Sequence, residues 1–264
     1  MVDTIARSDS LRPSIAPPAP AAGVGCELSI VVPVYNEHGG IASFVQSLGA
    51  SVAALGVQAE TLFVDDHSTD GTYARLVDSG VAVRRHTSNR GYGASLKTGI
   101  GASRADLVCI IDADHELAPE DIAKLLPHAP DHDMVVGARV GPRARPFPLH
   151  QRVAKGAICR LLQYWFAREV LDVNSGLRIF RRSVARDYLP ILPDGFSFTS
   201  SLTLAMLLDG RPIKYTPVSY SPRTGSTKVR VVSYTARFVA SYIRILRQHR
   251  RQGRLGVCAG SRAS

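Results

Sequence analysis

Short apolar runs recur along the first half of the chain, separated by stretches in which hydrophobic residues return at helical spacing. Residues 28–32, 61–64, 81–83, 107–111 and 134–136 read as strands, being brief, apolar and rich in branched side chains. Helical patterns fill the intervals near 40–55, 72–78, 93–102 and 119–126. Such regular alternation predicts an α/β fold built on a mostly parallel, doubly wound sheet. In sheets of this kind ligands bind beyond the carboxyl ends of the strands.

Polar groups stand at those ends. Pro33, Val34, Tyr35, Asn36 and Glu37 follow the first strand, Asp65 and Asp66 the second, and Asp112, Ala113 and Asp114 the fourth. In extended backbone, positions i, i+2 and i+4 face the same way, so Asp112, Asp114 and Glu116 are placed to converge on one hard cation. Mg2+ and Mn2+ take oxygen ligands and commonly share them with substrate phosphates. For an isolated Asp-x-Asp the alternative is a solvated acidic turn, because carboxylates mostly sit exposed. Three polar groups at corresponding strand ends would be an odd coincidence in a purely structural domain.

The second half reads differently. Val153, Ala157, Ile158, Leu161, Leu162, Trp165 and Phe166 recur at helical spacing beside Arg152, Lys155, Arg160 and Arg168. Val231, Tyr234, Phe238, Tyr242, Ile245 and Leu246 do so beside Arg237, Arg244 and Arg247. Basic amphipathic helices suit an anionic headgroup layer, and packing on the protein core is the alternative for both. No stretch supplies the roughly 20 uncharged apolar residues that cross a bilayer. The Pro- and Ala-rich residues 1–26 predict a disordered tail, 27–230 the main domain, and 231–264 an amphipathic helix with a basic flexible end.

Composition sharpens this picture. At 264 residues and 45% hydrophobic, the chain is long enough for one large domain with extensions. Residues 1–138 carry 9 Lys and Arg against 17 Asp and Glu, and residues 139–264 carry 23 against 5, so the net +10 divides into −8 and +18. An acidic half that holds a cation, joined to a basic half that holds anions, suits a reaction between two phosphorylated partners. A nucleic-acid partner competes with that reading, but no nucleic-acid module is recognisable. Cys26, Cys109, Cys159 and Cys258 show no metal-type spacing and predict reduced thiols in a cytosolic protein.

Rival phosphate motifs fail on particular residues. Residues 89–98 look superficially like a P-loop, but Leu96 stands where that motif requires glycine before the lysine. No Gly-x-Gly-x-x-Gly follows the first strand, which argues against a nicotinamide-dependent oxidoreductase. The run from Asp66 to Thr72 is a turn and helix-start signal whose structural role alone explains Ser68 and Asp70.

Six pieces in order carry a family resemblance: Val32-Pro33-Val34-Tyr35-Asn36-Glu37, Val64-Asp65-Asp66-His67-Ser68-Thr69-Asp70-Gly71-Thr72, Asn89-Arg90-Gly91-Tyr92-Gly93, Asp112-Ala113-Asp114, Asn174-Ser175-Gly176-Leu177-Arg178, and Arg223-Thr224-Gly225-Ser226-Thr227-Lys228. From about Leu28 to Arg230 the chain resembles the family 2 glycosyltransferases of GT-A fold, and most closely their polyprenyl-phosphate, dolichol-phosphate mannose synthase-like branch. The resemblance implies that Pro33, Tyr35, Glu37 and Asp65 line the pocket of a GDP- or UDP-linked sugar donor. Asp112 and Asp114 would hold Mg2+ or Mn2+ on the donor pyrophosphate, with Glu116 at a third position where relatives often have Gln. Arg139, Ser175, Arg178, Arg223 and Lys228 would grip a polyprenyl phosphate acceptor at the inner face of the cell membrane, Arg178 with a catalytic role beside Asp112 and Asp114.

Proton accounting separates two acceptor classes. A phosphate acceptor has its second ionisation at about pH 6 and needs no general base, whereas an alcohol does. Hydroxyl-directed relatives often place an acid at the helix start that corresponds to Phe198-Thr199-Ser200-Ser201, where this chain has none. Asp172, Asp194 and Asp209 remain as stand-ins, so transfer to a hydroxyl stays open. So does an inactive relative that only binds nucleotide sugars or membranes.

Overall fold

The computed structural model describes residues 25–140 and 149–221 together with Ile243, Ile245 and Arg247. The expectations for the N-terminal tail, for most of residues 231–264 and for Arg223 and Lys228 lie outside the described residues.

The elements follow in the order β1 (Leu28–Val34), α1 (Ile41–Ala53), β2 (Ala59–Asp65), α2 (Thr72–Asp78), β3 (Val83–Arg85), α3 (Tyr92–Ala102), β4 (Leu107–Ile110), α4 (Ile122–Leu125), β5 (Met134–Ala138), α5 (Leu149–Phe166), β6 (Arg178–Arg181), α6 (Arg182–Ala185), α7 (Phe198–Leu208) and β7 (Ile213–Pro217). Seven strands form one sheet in the order β3-β2-β1-β4-β6-β5-β7. Pairing is parallel except for β6, which runs antiparallel between β4 and β5.

Alternation along the central strands divides the core. Leu28, Ile30 and Val32 face one side with Cys109, Ile111 and α1's Ile41, Phe44 and Leu48. Val31, Val108 and Ile110 face the other with Leu96 and Ile100 of α3 and the buried face of α7. Helix α3 lies so close to the sheet that a β-carbon on Gly99 would stand 2.2 Å from Val31 Cγ1.

Strand order reverses at β1, whose neighbours are β2 on one side and β4 on the other. The ladder to β4 ends at Val31–Ile110, just past which Ile111 N–H donates to Val31 O. Pro33, which has no N–H to give, therefore falls where β1 has lost this neighbour and needs no donor. The split between the carboxyl ends of β1 and β4 is the switch point at which open α/β sheets bind ligands.

Two strands escape the hydrophobic pattern: β6, bounded by Arg178 and Arg181, and the edge strand β7, which ends in Pro217. The helix expected over 119–126 is broken into a 3-10 turn, the short α4 and a second 3-10 turn, with Pro119 and Pro127 at the starts of the two flanking turns. The apolar set of α5 also divides. Cys159 and Leu162 are buried and Ile158 and Phe166 pack against the core, whereas Leu161, Tyr164 and Trp165 point outward.

Candidate active site

Asp112 lies just past β4 at the switch point. Tyr92, the first residue of α3, donates its hydroxyl to Asp112 Oδ1 at 2.8 Å. On the other side Gly176 offers only its α-carbon, and a β-carbon there would stand 1.9 Å from Asp112 Oδ2. Burial, then the neighbouring charge of Asp114, pushes the Asp112 carboxyl up to about 7, against the opposing pull of the Tyr92 hydrogen bond. Burial and Asp112 together drive the Tyr92 hydroxyl far above its ordinary value, so it stays a donor.

The expected trio of carboxylates becomes a pair. Among the described residues no three His, Cys, Asp or Glu side chains assemble into a metal cluster. The extended geometry that would have aligned Glu116 ends early: Asp114 Oδ1 accepts the Glu116 N–H at 3.1 Å, and His115 adopts φ 60°. His115 Nε2 is held 2.9 Å from Gly40 O, with its ring edge-on to Phe44. This turn carries Glu116 off the strand line, leaving it only a minor influence on Asp112. A pair still suits Mg2+ or Mn2+, since such ions are commonly held by one or two carboxylates plus substrate phosphates. Two half-buried acids within reach of each other's charge, and the cradle left by Gly176, fit that chemistry.

The loops after β1 and β2 are fastened to each other. Asn36 N–H donates to Ser68 Oγ and Thr69 N–H to Asn36 Oδ1, each at 2.9 Å, while Glu37 N–H donates to Thr72 Oγ1 at 2.9 Å. Asn36 can take part because it adopts the left-handed φ of 54° that Asn tolerates. Asp65 is fully buried, accepts the Ser68 N–H and pairs with Arg85 Nε at 3.1 Å. Pro33 is buried beside it at the strand end, and Tyr35 is exposed. The four residues expected to line a nucleotide pocket thus share one edge of the sheet.

Asp66 has a role that spacing does not reveal. Its carboxylate accepts the Arg90 N–H at 2.8 Å and the Gly91 N–H at 2.7 Å, and lies 2.7 Å from His86 Nδ1. Thr98 Oγ1 meets the other ring nitrogen at 2.9 Å. These bonds fix the loop that delivers Tyr92. Tyr92, His86 and Gly176 were not singled out by the sequence reading. The available signals were the glycines in Asn-Arg-Gly-Tyr-Gly and Asn-Ser-Gly, each marking a close backbone approach.

Among the described residues, the basic side chains expected to grip a phosphate, Arg139 and Arg178, are engaged by the protein itself. Arg139 forms a bidentate pair with Asp172, Nε to Oδ2 at 2.8 Å and Nη2 to Oδ1 at 3.1 Å, and also donates to Asn174 Oδ1. Burial opposes its charge, and Asp172 overcomes that and raises its pKa. Arg178 is fully buried, and donates to Ser175 O at 2.6 Å, Thr199 O at 3.0 Å and Thr203 Oγ1 at 2.9 Å. Burial lowers its pKa, and no carboxylate hydrogen-bonds to it among the described residues. Ser175 is buried too, with its hydroxyl accepting the Leu177 N–H. Arg139, Ser175 and Arg178 therefore build the wall behind Asp112 and do not present themselves to an acceptor. A guanidinium with acceptors on all sides beneath a sheet is packed as structure, which a sequence position alone does not disclose.

Comparison with known proteins agrees with this architecture. The chain is 30% identical over 208 residues to the low-salt glycan biosynthesis hexosyltransferase Agl6 of Haloferax volcanii, which covers 76% of this chain and 49% of that one. It is 29% identical over 186 residues to the undecaprenyl-phosphate 4-deoxy-4-formamido-L-arabinose transferase of Klebsiella pneumoniae, covering 65% of this chain and 56% of the relative. The chain thus spans about half the length of these curated relatives. Among solved structures, glucosyl-3-phosphoglycerate synthase of Mycobacterium tuberculosis with Mn2+, UDP-glucose and phosphoglyceric acid superposes with a TM-score of 0.66 at 21% identity, over 84% of this chain and 80% of that one. Mannosyl-3-phosphoglycerate synthase of Rubrobacter xylanophilus gives 0.63 at 18% identity, over 90% and 79%. These likenesses establish the GT-A type of fold. The profile of glycosyl transferase family 2 matches residues 29–189, and the chain belongs to that family.

Proposed function

We propose that this chain moves a sugar from a GDP- or UDP-linked donor to a polyprenyl phosphate in one inverting displacement. The observation that carries the reading is the Asp112 carboxylate at the β1/β4 switch point, under the charge of Asp114 and cradled by Gly176. Asp112 and Asp114 would hold Mg2+ or Mn2+, which when bound neutralises charge on a departing diphosphate without proton transfer. Support comes from a relative named for undecaprenyl phosphate and a structural neighbour crystallised with Mn2+ and UDP-glucose. Pro33, Tyr35, Glu37 and Asp65 take the nucleotide side.

A phosphate acceptor is favoured over a hydroxyl because the chain's spare acids are engaged. Asp172 holds Arg139, Asp194 pairs with Lys97 at 2.7 Å, and Asp209 accepts the Tyr188 hydroxyl at 2.7 Å. The first turn of α7 has no acid. An already ionised phosphate needs no base. Arg223 and Lys228 are the cations proposed for it.

Membrane attachment is proposed to be peripheral, at the inner face. No helix among the described residues is long and apolar enough to cross a bilayer, and α5 turns Leu161, Tyr164 and Trp165 outward beside Arg160.

The deciding experiment incubates the protein with a panel of nucleotide sugars, Mn2+ and either polyprenyl phosphate or the free polyprenol. Glycolipid from the phosphate alone, abolished by chelator, is expected. Product from the polyprenol would move the assignment to hydroxyl transfer. Nucleotide binding without product from any donor would make the chain a binding module.

A further inference from the structure

The metal pair is supported from the far side of the cleft by an aromatic contact. Tyr92, whose hydroxyl holds Asp112, stacks its ring on Phe196 with centroids 5.6 Å apart and planes 18° apart. Phe196 is 54% exposed, so its inner face rests on Tyr92 while its outer face meets solvent.

The loop bearing Phe196 is clamped onto the first turns of α3. Lys97 Nζ donates to Leu192 O at 2.6 Å and meets Asp194 Oδ1 at 2.7 Å, and Ala94 N–H donates to Asp194 O at 3.1 Å. No side chain fits between the two. A β-carbon on Gly91 would stand 2.5 Å from Asp194 O, and one on Gly93 2.3 Å from Pro193 O. Gly91 also has φ 102°, which restricts that position to glycine. Residues 192–196 are thus tied to the turns of α3 that carry Tyr92, whose hydroxyl meets Asp112.

Resting on the metal-dependent reading above, we propose that Tyr92 is a positioning residue that presents Asp112 to the divalent cation, and that Phe196 sets the position of Tyr92 through the stack. Phe196 touches neither carboxylate in this scheme, yet the metal site responds to it. Groups that orient a metal ligand from behind commonly carry such effects.

The test is a Mn2+ titration, with and without inorganic pyrophosphate, read by the electron paramagnetic resonance of free Mn2+. Wild type, Y92F, F196A, F196Y and Y92F/F196A are compared, with thermal unfolding in EDTA recorded for each. Y92F keeps the stack and loses the hydroxyl, and should bind Mn2+ about 10- to 100-fold more weakly. F196A should weaken binding about 2- to 12-fold, the worth of one aromatic stack, and F196Y should restore it. The double variant should bind no more weakly than Y92F, because both changes act through one hydroxyl. Y92F binding within twofold of wild type overturns the proposal, and additive effects in the double variant overturn the part assigned to Phe196. If Y92F unfolds at lower temperature, the F196A and F196Y pair decides alone. Wild-type protein that takes up no Mn2+ in either arm overturns the functional reading and this one together.

Discussion

Gly176 lies flush against the carboxylate of Asp112: a β-carbon at position 176 would stand 1.9 Å from Oδ2 and 2.4 Å from Cγ. Backbone from one side of the sheet thus fills the space behind a side chain from the other. Gly176→Ala must push Asp112 away, and the displaced carboxylate loses its bond to Tyr92. Forced overpacking of this kind costs about 1–3 kcal/mol, which a domain of this size survives. The expected protein is folded but binds Mn2+ at least about 10-fold more weakly, with turnover falling in step. A G176A protein with wild-type Mn2+ affinity would show that the carboxylate has room to move and that the cradle is incidental.

The loop that delivers Tyr92 depends on Asp66, whose carboxylate takes two backbone N–H groups and faces His86. Asp66→Ala leaves the Arg90 and Gly91 amides without that acceptor and loosens the loop, at about 0.5–1.5 kcal/mol for each hydrogen bond lost. Hydrogen exchange is the direct readout. The Arg90 and Gly91 amides should exchange much faster in the variant, with the sheet amides following only as far as global stability drops. Equal protection in both proteins would refute the assignment.

β1, β2, β4, β5 and Thr72–Asp78 were legible because period and burial coincide there, with both faces of β1 and β4 covered; the third strand, expected at 81–83, lies at Val83–Arg85, where two exposed arginines hide it from the apolar pattern. β6 was not, because arginines stand at both its ends, and the burial of Arg178 depends on carbonyls such as Thr199 O that the local pattern does not show. The same asymmetry governs the site. Asp112 and Asp114 stand out as acids at the end of an apolar run. Tyr92 and Gly176 act on Asp112 through tertiary proximity, of which the sequence holds only the glycine punctuation. Arg139 and Arg178 misled because a sequence shows a charge but not its partner; Asp172 lies 33 positions from Arg139. Glu116 misled because one residue in the left-handed region, His115, cancels a strand period.

Arg178 is expected to behave as a structural residue. It is fully buried and ties Ser175 O and Thr199 O together beneath the site. Arg178→Met retains much of the volume but takes both guanidinium donors from Ser175 O, at roughly 1–3 kcal/mol for that carbonyl, while Thr199 O keeps the Thr203 hydroxyl. The midpoint of denaturant unfolding should fall accordingly, while Mn2+ affinity of the folded protein falls far less than in G176A. An R178M protein with a wild-type midpoint and a selective loss of acceptor use would instead give Arg178 the phosphate-binding role that the family resemblance implies.

Leu161, Tyr164 and Trp165 are 50%, 69% and 56% exposed on α5. Replacing Leu161 and Trp165 with Glu removes apolar surface and adds negative charge next to Arg160 without disturbing the core. Exposed positions of this kind usually change stability by less than about 0.5 kcal/mol. Sedimentation with anionic vesicles should fall strongly in L161E/W165E at an unchanged unfolding temperature. Undiminished vesicle binding would place the membrane contact elsewhere.

A divalent cation held at Asp112, as proposed above, would carry a defined pH signature. Burial and Asp114 raise its pKa from 3.8 to about 7, so the folded protein holds this proton where the unfolded chain has released it. Below about pH 4 both states are protonated and the group is neutral in its effect. As pH rises from about 4 to about 7 the unfolded state binds fewer protons than the folded one, so stability falls over that window. Above about pH 7 both are ionised, and the loss is complete and constant. A cation bound between Asp112 and Asp114 competes with the proton and cancels the charge that burial penalises. In EDTA the unfolding temperature should decline between pH 5 and 7, and Mn2+ should raise it more at pH 8 than at pH 5.5. Asp112→Asn removes the titrating group and should flatten both trends. A Mn2+ stabilisation independent of pH, or one that survives in D112N, would place the cation away from this carboxylate and with it the chemistry assigned to the β1/β4 cleft.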